Sequence, residues 1–390
     1  MNAQYKITYG GWYQRTTLHL SEVYEFFSHA NSYLNLDKEK LKQLHTALKL
    51  KTISREVSYL EYVKATTEDG IEIRYYEDGL YVMELLSEDI EAAKITLEKY
   101  FNEILNPALS YIFSLGAPTP KILANIKTTH PTVVSIGVKD KVTNDSHPFD
   151  LKNVYSHIEE KNISVYKSSD YIFIMFDLAT YSRVNEIIEM QIFFREFKDQ
   201  LEKYLNIHRR VWEEISTIRD RKYIRAKEVI KLRDNLDSYQ KTINLISNRI
   251  NQMGSYVKTR KDISKNLEID EHIERLFQYR FDVLLNTLDY IKEVWRMTID
   301  YVNSAIQILV EVQNLATNKS IQSLTLITSV GVLAGLITHL SRDTYPKVTT
   351  TGLLYLGSLI LAGLVFNFIV QKVQLNRLQK LKFTKNTDAI

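Results

Sequence analysis

Asn314, Asn318, Gln322, Thr325 and Ser329 step along the chain by four, four, three and four positions. On a helix that spacing gathers five uncharged polar side chains on one face roughly 80° wide. Leu326, Ile327, Val330, Leu333 and Ala334 fall on the other side. The stripe runs into an apolar stretch, Ile321 to Leu340. Hydrophilic groups at membrane depth are costly against lipid, so they must face other helices or water. Two roles fit. Several copies setting this face around one axis would line a pore, whereas a dry contact would use the same groups to hydrogen-bond between neighbouring helices. One hairpin cannot enclose a pore, so conduction requires an oligomer.

The elements that position this stripe are two apolar runs, Ile321 to Leu340 and Gly352 to Val370, neither with a Lys, Arg, Asp or Glu. Each is about twenty residues, enough to cross a hydrocarbon layer of roughly 30 Å. The link Ser341 to Thr351 holds Pro346 and a Thr run that resists helix continuation. The pair reads as a transmembrane hairpin. Lys372, Arg377, Lys380, Lys382 and Lys385 follow the second run, while the link offers Arg342 and Lys347 against Asp343. The positive-inside bias then places both chain ends in the cytoplasm of a multi-pass plasma-membrane protein, with the short link outside. Met1 to Lys6 lacks a basic segment followed by an apolar core, so a cleaved signal peptide is not expected.

Bulk composition narrows the chemistry. The chain has no cysteine, which removes disulfides, thiol catalysis and cysteine zinc sites. Its nine histidines are dispersed, and no P-loop or Gly-x-Gly-x-x-Gly pattern occurs. No grouping suggests an enzyme. The basic residues from Arg209 to Lys231 interleave with Glu213, Glu214, Asp220 and Glu228, which reads as a solvated, salt-bridged helix face rather than a nucleic-acid surface.

Before the apolar runs the chain changes character near residue 150. Five of its six prolines precede that point, and between Gly137 and Gly331 only Gly254 occurs. Earlier, Ile71 to Tyr76 and Leu80 to Leu85 flank Glu77-Asp78-Gly79, a hairpin signal, and a helix is expected from about Ser87 to Leu105. A similar unit recurs at Ile163 to Lys167 and Tyr171 to Asp177, followed by a helix from about Ser182. Thr132 to Val138 reads as a strand and Lys38 to Leu48 as an amphipathic helix. From Ser182 to Lys265 the pattern is helical, with fold-backs expected near His208 and Gly254. Then Phe277, Phe281, Leu284, Leu288, Ile291, Trp295, Thr298, Val302, Ala305, Leu309 and Val312 keep a 4,3,4,3 spacing, the apolar seam of a coiled coil or close bundle. With no breaker in view, Ile269 to Leu340 is expected to be one continuous helix.

The segment Thr317-Asn318-Lys319-Ser320-Ile321-Gln322-Ser323-Leu324-Thr325-Leu326-Ile327, at the end of a long helix that becomes the first of two C-terminal spans, resembles the CorA-type divalent metal ion (magnesium) transporter family. The resemblance implies a homopentamer, with five first spans around the axis and the second spans outside. It also implies Asn314 or Asn318 at the inner mouth and Thr325 and Ser329 further along the pore wall. The transported or regulatory ion would be Mg²⁺ or a similar divalent cation; hydrated Mg²⁺ gives up water reluctantly, and neutral oxygens suit its shell. One departure is plain: the family's Gly-Met-Asn is missing. That region reads Gly335-Leu336-Ile337-Thr338-His339-Leu340-Ser341-Arg342, and no methionine follows Met297. The outer mouth would instead present Thr338, His339 and Asp343.

The expected organisation is therefore an α+β cytosolic domain (1–180), a helical array (181–268), a stalk helix (269–320), a first transmembrane helix (321–340), an outer loop (341–351), a second transmembrane helix (352–370) and a basic cytosolic tail (371–390). The expected function is an oligomeric membrane channel or transporter for metal cations. The alternative is a non-conducting, membrane-anchored oligomeric scaffold or sensor, which the missing Gly-Met-Asn favours.

Overall fold

Alternation along the first strand sets the N-terminal architecture. In β1 (Tyr5–Trp12) the side chains of Tyr5, Ile7 and Tyr9 enter one apolar cluster, while Trp12 on the other face meets Phe193, Phe197 and Tyr256. A strand covered on both sides belongs at the centre of a layered domain. The computed structural model describes residues 4–13, 19–113, 130–138, 153–160, 162–178, 182–219, 221, 223–340 and 350, and beyond that 354, 357, 358, 361, 364, 365, 368, 369, 372, 373 and 378–380. The chain divides into two compact units, Met1–Ile207 with Ile246–Glu293, and His208–Leu245 with Val294–Ile390.

The first unit is built on a nine-stranded sheet. Its strands are β1, β2 (Leu50–Val57), β3 (Glu61–Thr67), β4 (Glu72–Tyr76), β5 (Leu80–Ser87), β6 (Thr132–Val138), β7 (Ser156–Glu160), β8 (Ile163–Lys167) and β9 (Tyr171–Asp177), in the order β2-β3-β4-β5-β1-β6-β9-β8-β7. All neighbours are antiparallel except β6 and β9. One face carries α1 (Leu20–His29), α2 (Lys38–Leu48), α3 (Ile90–Tyr100) and α4 (Asn106–Phe113), whose Phe26, Phe27, Leu41, Leu97 and Leu109 fill the core. A π-helical turn, Phe101–Leu105, joins α3 to α4. Asp37 caps α2 by accepting from the amides of Glu39 and Lys40.

Both expected hairpins are present, as are the Thr132–Val138 strand and the Lys38–Leu48 helix. Gly79 takes φ +89° in the β4–β5 turn, a conformation open to glycine at little cost. Gly10 permits close approach in β1, because a Cβ there would lie 2.7 Å from the Tyr81 carbonyl and 3.0 Å from Ile192.

Two long helices follow, α5 (Val184–Arg219) and α6 (Ala226–Asn266). Neither fold-back falls where the sequence suggested. α5 runs unbroken through His208, and α6 runs through Gly254. The reversals lie between Arg219 and Ala226 and after Asn266. A single mid-helix glycine costs only about 1 kcal/mol, and continuous packing outweighs it. The stalk also needs correction: α7 (Asp270–Phe277) ends at Gln278, which adopts φ +60° with its amide donating to the Glu274 carbonyl. α8 (Phe281–Leu340) then runs for 60 residues, roughly 90 Å. A left-handed C-terminal residue stops α7, and a non-glycine in that role carries little sequence signal.

The second unit comprises helical segments plus a two-stranded ribbon. In it β10 (Tyr223–Arg225) pairs antiparallel with β11 (Leu378–Lys380). Among the described residues no helix is long and apolar enough to cross a membrane. Most of 352–370, the expected second span, lies outside the described residues.

Candidate functional site

The apolar seam, Phe277 through Val312, is buried at every position. Each Leu, Ile or Val there contributes roughly 1.5–3 kcal/mol relative to exposure. Partners come from the same chain. In the first unit Phe194 packs on Phe281 at 4.5 Å. In the second, the Trp212 and Tyr301 rings stack at 4.4 Å, His208 lies edge-on to Trp295, Arg233 donates to Gln313 at 3.2 Å and Gln240 to Asn303 at 2.5 Å. The seam is thus that of a close bundle within one protomer.

With the seam at the first and fourth positions of a seven-residue repeat, the third and sixth positions lie opposite it. They are Val283, Tyr290, Met297, Ser304, Glu311, Asn318 and Thr325, and Asn286, Glu293, Asp300, Gln307, Asn314, Ile321 and Thr328. All fourteen are exposed, three are acidic, and none is Lys or Arg. The stripe read from sequence belongs to this face, with Gln322 and Ser329 exposed beside it. Only its C-terminal third is marked by a polar stripe in the sequence. The seam's own repeat carried the rest, since whatever keeps the seam in register keeps the opposite face in register too.

The hydroxyls on this face share one geometry. Thr325 donates to the Ile321 carbonyl at 2.9 Å, Thr328 to Leu324 at 2.6 Å and Ser329 to Thr325 at 2.7 Å. Each proton is spent within the helix, leaving the oxygen as an acceptor only. Acceptor oxygens and amides, with three acidic residues further back and no cation at the third or sixth positions, favour positive ions or their water shells; the flanking second position carries Arg296. Of the other expected site residues, Thr338 and His339 fall on the α8 backbone with side chains outside the described residues, as are Asp343, Arg377 and Lys382 altogether. Lys372 is exposed and Lys380 is in β11.

Among the described residues, other charged groups are drawn into ion pairs with one another. Arg74 bridges Glu84 at 2.8 Å and Glu189 at 3.1 Å, Lys6 reaches Glu84 at 2.7 Å, and the hydroxyls of Tyr59 and Tyr76 donate to Glu189. Burial pushes the Glu189 carboxyl up, and Arg74 works against that. This network joins helix to sheet. His130 Nε2 lies 3.2 Å from oxygens of both Glu196 and Asp199. In α7, Glu271 pairs with Arg275, and Glu274 with Arg280 just beyond the helix. Among the described residues no group of three metal-ligating side chains is gathered.

No protein-family model matches the chain, and no curated protein does. Among solved structures the chain is similar to the CorA magnesium transporter from Methanocaldococcus jannaschii, at 9% identity, over 63% of this chain and 92% of that one, with a TM-score of 0.27. A likeness at that score carries no weight for fold or function. The architecture is a mixed α+β sheet domain followed by long helices.

Proposed function

We propose that this chain is one subunit of an oligomeric membrane channel or transporter that passes a metal cation along an axis lined by α8. The carrying observation is the pair of third and sixth heptad positions opposite the buried seam, exposed throughout from Val283 to Thr328 and free of Lys and Arg, with Arg296 the exposed cation at the flanking second position. The seam is satisfied by the chain's own helices, so this second face is what remains for other copies. Val283, Tyr290 and Met297 supply apolar contact at seven-residue intervals, about half exposed in the single chain. Nearer the C-terminus the same face becomes polar and enters the apolar run from Ile321.

In this reading Ile321 to Leu340 and Gly352 to Val370 cross the plasma membrane, both ends are cytoplasmic, and the assembly is the homopentamer implied by the resemblance at Thr317 to Ile327. Asn314 and Asn318 stand at the inner mouth, and Gln322, Thr325 and Ser329 along the wall. A hydrated divalent cation, Mg²⁺ or one like it, would exchange contacts with acceptor oxygens while keeping most of its water. No covalent step is involved. Purified protein in sealed vesicles, assayed with several divalent metals in both directions, tests this. Flux that falls in Asn314→Leu or Asn318→Leu without loss of assembly supports the pathway; no flux for any metal overturns it.

One observation favours a second reading. The region Gly335 to Arg342, where the resemblance would put the family's Gly-Met-Asn, lacks that motif, and no methionine follows Met297. A non-conducting anchored scaffold needs neither that motif nor an ion path, and for it the Asn substitutions would change nothing.

A further inference from the structure

β10 and β11 bring together two parts of the chain some 155 residues apart, with Tyr223 opposite Lys380, Ile224 opposite Gln379 and Arg225 opposite Leu378. Both strands come from strongly basic segments. Residues 219–227 hold five Lys or Arg against Asp220 alone, and residues 371–387 hold five with no acidic residue. The β10–β11 pairing joins the backbones of these two segments, and like charge gathered at such a point is unfavourable in isolation and favourable beside an anionic surface. The anchoring is apolar. Ile224 is 1% exposed, whereas Arg221 and Arg225 on either side of it are exposed, as is Lys372.

We propose that this basic ribbon is a binding site for anionic lipid headgroups of the inner leaflet, and that lipid charge thereby fixes the α5–α6 turn to the membrane surface. The proposal rests on the membrane reading above. Only seven residues lie between Val370, the last of the expected second span, and Leu378, so the ribbon is within roughly 30 Å of that span's end even if the link is fully extended. That distance commits the site to lipid rather than to a soluble polyanion. Clusters of this kind beside a span attract phosphatidylserine and phosphoinositide headgroups through charge.

The test uses the full chain in lipid nanodiscs of phosphatidylcholine, with or without phosphatidylglycerol, and reads backbone hydrogen exchange at residues 223–225 and 378–380. Slower exchange in the anionic discs, on the order of tenfold and lost at high salt or in Arg221→Gln/Arg225→Gln, is the expected result. Equal exchange in both discs overturns the proposal. So does protection conferred by a single-stranded RNA in phosphatidylcholine discs with none from anionic lipid. Failure of the protein to enter discs at all would instead overturn the membrane reading. The chain would then be mixed with phosphatidylglycerol vesicles, where salt-sensitive binding supports the ribbon's role and its absence removes it.

Discussion

Arg260 Nε and Nη2 donate to the two carboxylate oxygens of Asp78 at 2.6 and 2.9 Å, with Arg260 wholly buried. The carboxylate belongs to the β4–β5 turn and the guanidinium to α6, so this bidentate pair locks a helix to a hairpin tip. Burial alone would pull the guanidinium down, but Asp78 and its other neighbours hold it above its ordinary value. The rings of Tyr59, Tyr76 and Phe193 lie 5.4–5.5 Å from it. Arg260→Met would leave a buried carboxylate without its partner, at a cost of about 3–5 kcal/mol. Urea unfolding of the full chain measures this. Asp78→Asn should cost less, because its amide oxygen can still accept from the Leu80 amide.

His130 gives a pH prediction. Burial, then Arg195 and Lys203, push its ring down to about 3. Burial likewise pushes Glu196 and Asp199 up. A histidine depressed in the folded state contributes stability that is complete above its unfolded value near 6.5 and is lost as pH falls from there towards 3. His130→Gln cannot titrate. The stability difference between the native protein and this variant should therefore shift by about 1.4 kcal/mol per pH unit below 6, against the native chain. Denaturation curves at several pH values give the slope, and a constant difference would refute the assignment.

These contacts mark where sequence reading stopped. The hairpin around Gly79 was legible because a glycine between two short runs rich in aliphatic and aromatic residues has one obvious use. The seam was legible because eleven positions, ten apolar and one Thr298, keep a single period. The break at Gln278 was not, since a non-glycine takes the left-handed conformation there and burial of Phe277 and Phe281 on either side masks it. β1 was missed because Gly10-Gly11 depress its strand signal, though Tyr81 and Ile192 need that space. β10 with β11 was beyond reach, being three residues each and distant in the chain. Of the candidate site, the polar end was visible and the exposed face behind it was not.

That face can be probed without touching the apolar runs. Ser304 is exposed, and its hydroxyl donates to the Asp300 carbonyl at 2.9 Å. Replacing it with Lys should change subunit stability by no more than about 0.5 kcal/mol. In an assembly with α8 around the axis, each copy adds a positive charge to a row of third and sixth positions that has none. Cation flux should fall steeply and recover in part at high ionic strength, where charges are screened over roughly 10 Å or less. Unchanged flux would place Ser304 away from any conducting path.

Thr325 separates a wet wall from a dry helix contact. Its hydroxyl proton is held by the Ile321 carbonyl, so in either case the group presents only an acceptor oxygen. Thr325→Val keeps the shape and removes that oxygen. Where it meets ions or their water, flux should drop while the assembly keeps its mass in detergent. Where it accepts a hydrogen bond from a neighbouring helix, the loss should appear in assembly, at about 0.5–1.5 kcal/mol per interface, and flux per assembled oligomer should stay constant. Thr325→Ser restores the oxygen and should rescue whichever property was lost. Measuring oligomer mass and flux on the same three preparations distinguishes the two, because only a pore wall couples this oxygen to transport without coupling it to association.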